Sequence, residues 1–458
     1  MFFERIKSEG LAHNSYIIGS RGEAVVIDPR RDCQVYVHTA RRNGLKIKHI
    51  FETHRNEDYV VGSVELNVAV GAEVYHGPGL KWQYGTTLQD GQEFGIGDLR
   101  LTAIHTPGHT DESMTYALVD SASGAATVMV FAGDSLFVDE VGRTDLHGPE
   151  QAERLASALY ESIHQRILPL GDGAILCPGH GGGSVCGSHI SDRDESSLGI
   201  ERAQNPVLQL TKKEFLRHKT IERLETPPYF PQMEKYNLEG PPLLGHLPAP
   251  PGLTPRQFRD EMARGAVVID TRRPAEFCGT HISGSYAIWL DGLSEFAGWV
   301  LGYNKAVLLV LEDENLLDTA VRRLFRLGYD RTAGYLGGGI ESWYDSGFPI
   351  EELPALSVHD LKDKLDRKEP LTVLDVRGGD EWNRGHIDGS LNVYVGHLEQ
   401  SLSRVPRDKP VAVLCSVGNR SGLGASILLR AGYPKVYNVL GSMTAWRAAG
   451  FRVSTETT

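Results

Sequence analysis

Over the first 190 residues, short apolar runs alternate with amphipathic, helix-like stretches. Apolar segments at 16–18 and 24–27 flank a Ser-Arg-Gly turn, which predicts a hairpin. Lys46–Phe51 reads as a strand that delivers Thr53 and His54 into a loop. Segments 99–104, 127–131 and 174–176 read as further strands, each ending in a loop that bears His or Asp. Strands that end in such loops predict an α/β scaffold with its chemistry along one edge. From about residue 191 to 251 the pattern changes. Residues 201–224 are polar and partly helical in character, and then Pro227, Pro228, Pro231, Pro241, Pro242, Pro248, Pro250 and Pro251 follow. So much proline predicts an extended connector, or a lid over the first domain, rather than regular structure.

Beyond the connector the pattern occurs twice. Val267, Val268, Ile269, Asp270 and Arg272 correspond to Thr372, Val373, Leu374, Asp375 and Arg377. Glu276, His281, Ile282 and Gly284 correspond to Glu381, His386, Ile387 and Gly389, and Trp343 to Trp446. The simple reading is two copies of one ~100-residue α/β domain. The expected division is therefore 1–250, 251–352 and 353–458.

Composition narrows the class. The 458 residues carry 47 Lys and Arg against 59 Asp and Glu, a net charge of -12 that disfavours a nucleic-acid binder. No run approaches the ~18 apolar residues that span a bilayer. The N-terminus is charged within five residues and lacks a signal-peptide core. Five cysteines are too few for a disulfide scaffold, so a reducing, cytoplasmic compartment is expected, and any special Cys is suspected of being a reactive thiol.

In the second repeat, the apolar strand Val411–Leu414 runs into Cys415, Ser416, Val417, Gly418, Asn419 and Arg420, then into a helix predicted over residues 422–431. A Cys between strand and helix sits among backbone N–H groups at the positive end of a helix dipole, and Arg420 adds a cation. This loop, with the upstream Asp-x-Arg, Glu and Gly-His-Ile signature, resembles the active-site loop of rhodaneses. The resemblance implies that Cys415 carries a persulfide, that Arg420 assists it, and that Ser416, Val417, Gly418 and Asn419 cradle the transferred sulfur. In the first repeat Leu311 and Leu316 stand where Cys415 and Arg420 stand, beside Glu312, Asp313 and Glu314. That copy is expected to be silent and to serve packing or oligomer contacts, and a homo-oligomer is expected. Cys278 is read as structural.

The N-terminal segments T-H-R-N-E-D-Y (53–59), T-P-G-H (106–109), A-G-D (132–134) and C-P-G-H (177–180) resemble the metallo-β-lactamase superfamily pattern His-x-His-x-Asp-His, His, Asp, His. His54, Asp58, His109, Asp134 and His180 match it; Asn56 and Tyr59 replace two histidines. Asn is a poor ligand for transition metals and Tyr an uncommon one, which argues against a two-zinc site. Of the five that match, His54, His109 and Asp134 make the two-imidazole, one-carboxylate set of non-haem Fe(II) oxygenases, and they stand at the motif positions that the superfamily's persulfide dioxygenases use for one iron. The chain thus resembles bacterial fusions of a persulfide dioxygenase with rhodaneses.

That resemblance implies an αββα metallo-β-lactamase sandwich followed by two rhodanese-like α/β domains. It implies one Fe(II) per chain, with zinc as the alternative. It also implies oxidation of a thiol persulfide by O2 to sulfite, and sulfite–thiosulfate sulfur transfer at Cys415. Asp58 and His180, with Tyr59 and Asn56, would lie behind the ligands. Arg143 would bind an anionic substrate or fix its loop by an ion pair. Cys186 would hold a persulfide or be incidental. His105, Cys33 and Cys177 are read as structural. Two rivals stand beside this reading: a zinc thioester hydrolase, and a degenerate scaffold serving one live sulfurtransferase.

Overall fold

The computed structural model describes residues 1–187, 189–222 and 224–455. Contacts divide the chain into two compact units, Met1–Leu247 with Phe325–Gly328, and the remainder from Pro248 onward.

The first unit is built on two six-stranded sheets. One contains β1 (Phe2–Ser8), β2 (His13–Ser20), β3 (Glu23–Ile27), β4 (Lys46–Phe51), β5 (Glu73–His76) and β6 (Thr86–Thr87) in chain order. The other contains β7 (Glu93–Ile96), β8 (Leu99–His105), β9 (Met114–Asp120), β10 (Thr127–Gly133), β11 (Ile175–Pro178) and β12 (Ser196–Ser197), also in order. The predicted hairpin is β2–β3, with Tyr16 opposite Ile27. Alternation along the strands sends side chains to both faces. Tyr16, Ile18, Val25 and Phe51 from the first sheet meet Phe94, Leu101, Tyr116 and Phe131 from the second in a buried middle layer. The opposite faces are covered by helices. Tyr36, Val37 and Ala40 of Gln34–Arg42 pack on Ile17, Val26 and Ile50, and Ala156 and Leu159 of Pro149–Glu161 pack on Val130 and Leu176. The result is an αββα sandwich.

The connector departs from expectation. It is not irregular throughout, because Phe230–Glu239 forms a helix with Pro231 in its first turn. There the missing N–H of proline costs nothing. The helix buries Phe230, Met233 and Asn237 against the first unit.

The second unit holds the two repeats. The first has the all-parallel order β13-β17-β16-β14-β15 (Gly252–Leu253, Thr332–Leu336, Val307–Val310, Val267–Asp270, Tyr286–Ala287). The second repeats it as β18-β22-β21-β19-β20 (Ala355–Leu356, Val436–Val439, Val411–Leu414, Thr372–Asp375, Leu391–Asn392). The Asp-x-Arg signature is a structural pair in both copies. Arg272 caps Asp270 and the Thr280 carbonyl, and Arg377 caps Asp375 and the Gly385 carbonyl. No described helix is long and apolar enough to cross a membrane.

Candidate functional site

The loops after β4, β8, β10 and β11 carry His54, His109, Asp134 and His180. Backbone bonds tie them together: Met114 N–H donates to the Thr53 carbonyl, and Gly179 N–H to the Gly133 carbonyl. Two glycines permit the closeness. Gly133 has φ +51°, and a Cβ on Gly179 would lie 2.4 Å from Asp134 Oδ1.

His54, His109 and Asp134 are buried and converge. Asp134 Oδ2 lies 3.9 Å from His54 Nε2 and 3.8 Å from His109 Nε2. The Nδ1 atoms are turned away, His54 to Thr53 Oγ1 (2.9 Å) and His109 to the Arg143 carbonyl (3.0 Å). Thr53 Oγ1 in turn donates to Asp28. Each ring can therefore hold its proton on Nδ1 and present the Nε2 lone pair inward, as a metal-bound imidazole does. Both Nε2 atoms are buried without a hydrogen-bond partner. Burial pushes His54 down to about 4, so it is neutral. Burial opposes ionisation of His109 as well, but the neighbouring Glu57 carboxylate outweighs it and lifts that ring to about 9. Orphaned ring nitrogens facing a carboxylate in a dry pocket fit a divalent cation, which would relieve both.

Behind this trio, His180 bridges two acids, with Nδ1 2.9 Å from Asp134 Oδ1 and Nε2 2.9 Å from Asp58 Oδ2. Burial penalises its charge, yet the two carboxylates raise it well above the ordinary histidine range. It thereby orients Asp134. Asn56 donates its side-chain N–H to the His54 carbonyl, and Tyr59 stacks on His13 with ring centroids 3.9 Å apart.

Arg143 corrects an expectation. Its side chain is buried and fully engaged, with Asp145 held two-pronged at 2.7 and 3.0 Å. It also donates to the Val185 and Glu225 carbonyls and to Thr226 Oγ1. A guanidinium so occupied fixes loops and has no donor left for a substrate. Cys186 is fully buried near the trio and donates to Glu57 Oε1 at 3.6 Å. Burial holds its thiol well above the usual range. His105 bonds the Asp111 carbonyl, a structural role. Cys33 precedes a helix and Cys177 lies in β11, both in the core.

Three residues that sequence reasoning passed over belong here. Asn237, from the connector, donates to the Asn56 and Tyr59 carbonyls (2.7 Å each) and accepts from Val61 N–H (2.9 Å). Arg55 pairs with Glu234 of the same helix at 3.0 Å. Glu57 sits between the motif residues Asn56 and Asp58, and its carboxylate faces both imidazoles. Its position inside the motif was the available signal; an acid at a variable position was easily read as solvated.

In the second unit, Cys415 follows β21 and is buried. The helix behind it is Asn419–Arg430, beginning three residues before the expected start. The earlier start closes the loop over the thiol: Gly418 N–H donates to Cys415 Sγ at 3.1 Å, where Gly418 has φ +114°. Ser421 Oγ lies 3.6 Å from Sγ. Arg420 is clamped by Glu381 (2.6 and 2.8 Å) and donates to Ser416 Oγ (2.7 Å). Although burial raises it, Arg420 holds the Glu381 carboxyl down to about 2. Asn419 lines the cavity beside Cys415, as does Val417, which is largely exposed.

That cavity, of about 310 Å³, is also lined by Trp289, Glu295 and Phe296 from the first repeat. The first repeat therefore does more than pack: it walls the cavity beside Cys415. Its Leu311 is buried where Cys415 stands, and Glu314 accepts from Gly338 N–H. Cys278 accepts from Asn438 between the repeats at 3.6 Å, a structural contact.

Residues 9–180 match the model of the metallo-beta-lactamase superfamily. Residues 254–346 and 357–449 each match the rhodanese-like domain. The mitochondrial persulfide dioxygenase ETHE1 of Homo sapiens is 29% identical over 211 residues, 44% of this chain and 74% of that protein. The Bos taurus protein of the same name is 29% identical over 221 residues, 46% and 77% respectively. A crystal structure of a metallo-beta-lactamase from Staphylococcus aureus subsp. aureus COL superposes with a TM-score of 0.66 at 30% identity, covering 73% of this chain and 98% of that one.

Proposed function

Because the chain belongs to the metallo-beta-lactamase superfamily and carries two rhodanese-like domains, we propose that it is an enzyme of sulfide detoxification that oxidises a thiol persulfide and transfers sulfur. The observation that carries this reading is one chain holding both a buried two-imidazole, one-carboxylate cluster and a cysteine at a helix start. Iron(II) held by His54, His109 and Asp134 would supply the redox chemistry that side chains lack. In the net reaction the S–S bond of the persulfide breaks and the thiol departs with a proton. O2 is reduced as the outer sulfur is oxidised to sulfite, and water supplies the third oxygen.

The protein's part is positioning. Thr53 and the Arg143 carbonyl hold the two rings with Nε2 inward. His180, braced by Asp58, aims Asp134. At the second site, Gly418 N–H and the helix dipole stabilise negative charge on Cys415 Sγ. A Cys415 persulfide gives its outer sulfur to sulfite: the Cys S–S bond breaks, a new S–S bond forms thiosulfate, and the thiolate leaves. The reverse transfer uses the same groups. Housing both sites in one chain raises the effective concentration of the shared intermediate. The zinc-hydrolase rival needs the fuller ligand set, and Asn56 is committed to the backbone.

The test is O2 uptake by anaerobically iron-loaded protein given glutathione persulfide. Uptake with sulfite or thiosulfate formation is expected. Asp134→Ala should lose iron and uptake together, whereas Cys415→Ser should keep uptake and lose transfer. Normal iron content in the first variant, or transfer in the second, overturns the corresponding assignment.

A further inference from the structure

Glu57 is fully buried beside the trio, and one arm of its carboxylate has no hydrogen-bond partner. Oε2 has no hydrogen-bond partner and lies 3.8 Å from His54 Nε2. Oε1 accepts from the Cys186 thiol and lies 3.4 Å from His109 Nε2, in a geometry that makes no hydrogen bond. The two imidazoles that face Asp134 thus face a second carboxylate as well. The neighbouring Asn56, which replaces a histidine of the superfamily pattern, is turned to the backbone and offers no replacement donor from its N–H. Donor atoms ~2.1 Å from a metal in a tetrahedral arrangement lie ~3.4 Å apart. His54, His109 and Asp134 already cluster with one ligand atom each, Asp134 Oδ2 lying 3.9 and 3.8 Å from the two ring nitrogens; Glu57 straddles the same nitrogens, with Oε2 3.8 Å from His54 and Oε1 3.4 Å from His109, so a small rotation of its carboxylate brings one oxygen to both.

We propose that Glu57 is a fourth protein ligand of the metal centre, making a two-imidazole, two-carboxylate site in place of the triad. The inference rests on the assignment of His54, His109 and Asp134 as ligands. Its consequence is electrostatic. Two carboxylates and two neutral imidazoles cancel the charge of a dication, where the triad alone leaves one positive charge in a dry pocket. On binding, the ion would replace the proton of the His109 ring as the countercharge to the buried Glu57 carboxylate. The hydrogen bond from Cys186 then ties the 181–187 loop to the ligand shell.

The test is binding of iron(II), by competition with a chromophoric chelator, and the visible spectrum of the cobalt(II)-loaded full chain, for the wild type, Glu57→Gln, Asn56→Ala and Asp134→Ala. Glu57→Gln should weaken iron binding by at least ~10-fold and shift the cobalt bands, while Asn56→Ala changes affinity by less than ~3-fold. Metal-free Glu57→Gln should keep a cooperative thermal transition while melting below the wild type, since the buried pair with the His109 ring is broken. Wild-type affinity and cobalt bands in Glu57→Gln, with Asp134→Ala unable to bind, overturn the fourth ligand and leave the triad intact. A metal-free Glu57→Gln that has lost its cooperative transition also overturns it, by making Glu57 a structural residue. Retention of metal by Asp134→Ala overturns the triad on which the inference rests.

Discussion

Asn237→Ala tests how the connector supports the metal loop. The side chain is buried and makes three bonds to backbone groups of that loop: the carbonyls of Asn56 and Tyr59 and the N–H of Val61. Removing it strands three polar groups. At ~1 kcal/mol net for each bond, the loss is ~3 kcal/mol, and more if the groups stay dry. If the loop keeps its shape, the cost falls on stability. If it rearranges to find water, the cost falls on preorganisation, and ~3 kcal/mol corresponds to ~100-fold in metal affinity. Iron(II) binding and hydrogen exchange over residues 53–61, measured on the full chain, separate the two. The expected result is faster exchange confined to this loop and affinity reduced by ~10- to 100-fold. Unchanged exchange together with wild-type affinity would refute the reasoning.

Three further predictions follow from the geometry. Arg143→Met should destabilise the first unit by ~3–5 kcal/mol, because it leaves Asp145 and several carbonyls without their donor; a raised KM for persulfide with an unchanged melting temperature would restore a substrate role. Glu381 is held down to about 2 in the folded chain against an ordinary 4.5, so its contribution to stability is present above about 4.5 and is lost as pH falls toward 2. Melting between pH 6 and 3 should show that loss, and Glu381→Gln should flatten it; an identical slope in the variant would remove Glu381 as its source. Trp289→Ala should raise the KM for the sulfur donor at Cys415 by ~10-fold while leaving O2 uptake alone, since the indole walls the transfer cavity; equal KM values would return the first repeat to a packing role.

Much of the chemistry was legible in one dimension. His54, His109 and Asp134 follow predicted strands, and loops at strand ends gather at one edge of such a sandwich whatever the details of packing. The Cys415 loop was legible for a similar reason. Both its strand and its helix are strongly apolar, so the polar turn between them had little freedom in where to lie. The start of the helix was misplaced because Asn419, Arg420 and Ser421 look like loop residues until Gly418 takes a positive φ and lets the helix begin there.

Local pattern and spacing determined the α/β character of the chain, the two repeats, the order of the site-bearing loops and the turn that sets Cys415 between a strand and a helix. These depend on periodicity and on neighbours in sequence. The tertiary structure decided which polar groups face one another across long separations. It turned Arg143 from a candidate substrate anchor into a buried brace, because carbonyls some 42 and 82 residues away close around it. It turned the proline-rich connector into a support for the metal loop through Asn237, 181 residues from Asn56. It brought Glu57 to the metal ligands and Trp289 to the sulfur cavity. A buried polar group acquires its role from the partner that desolvation forces on it, and that partner is chosen only when the chain has folded.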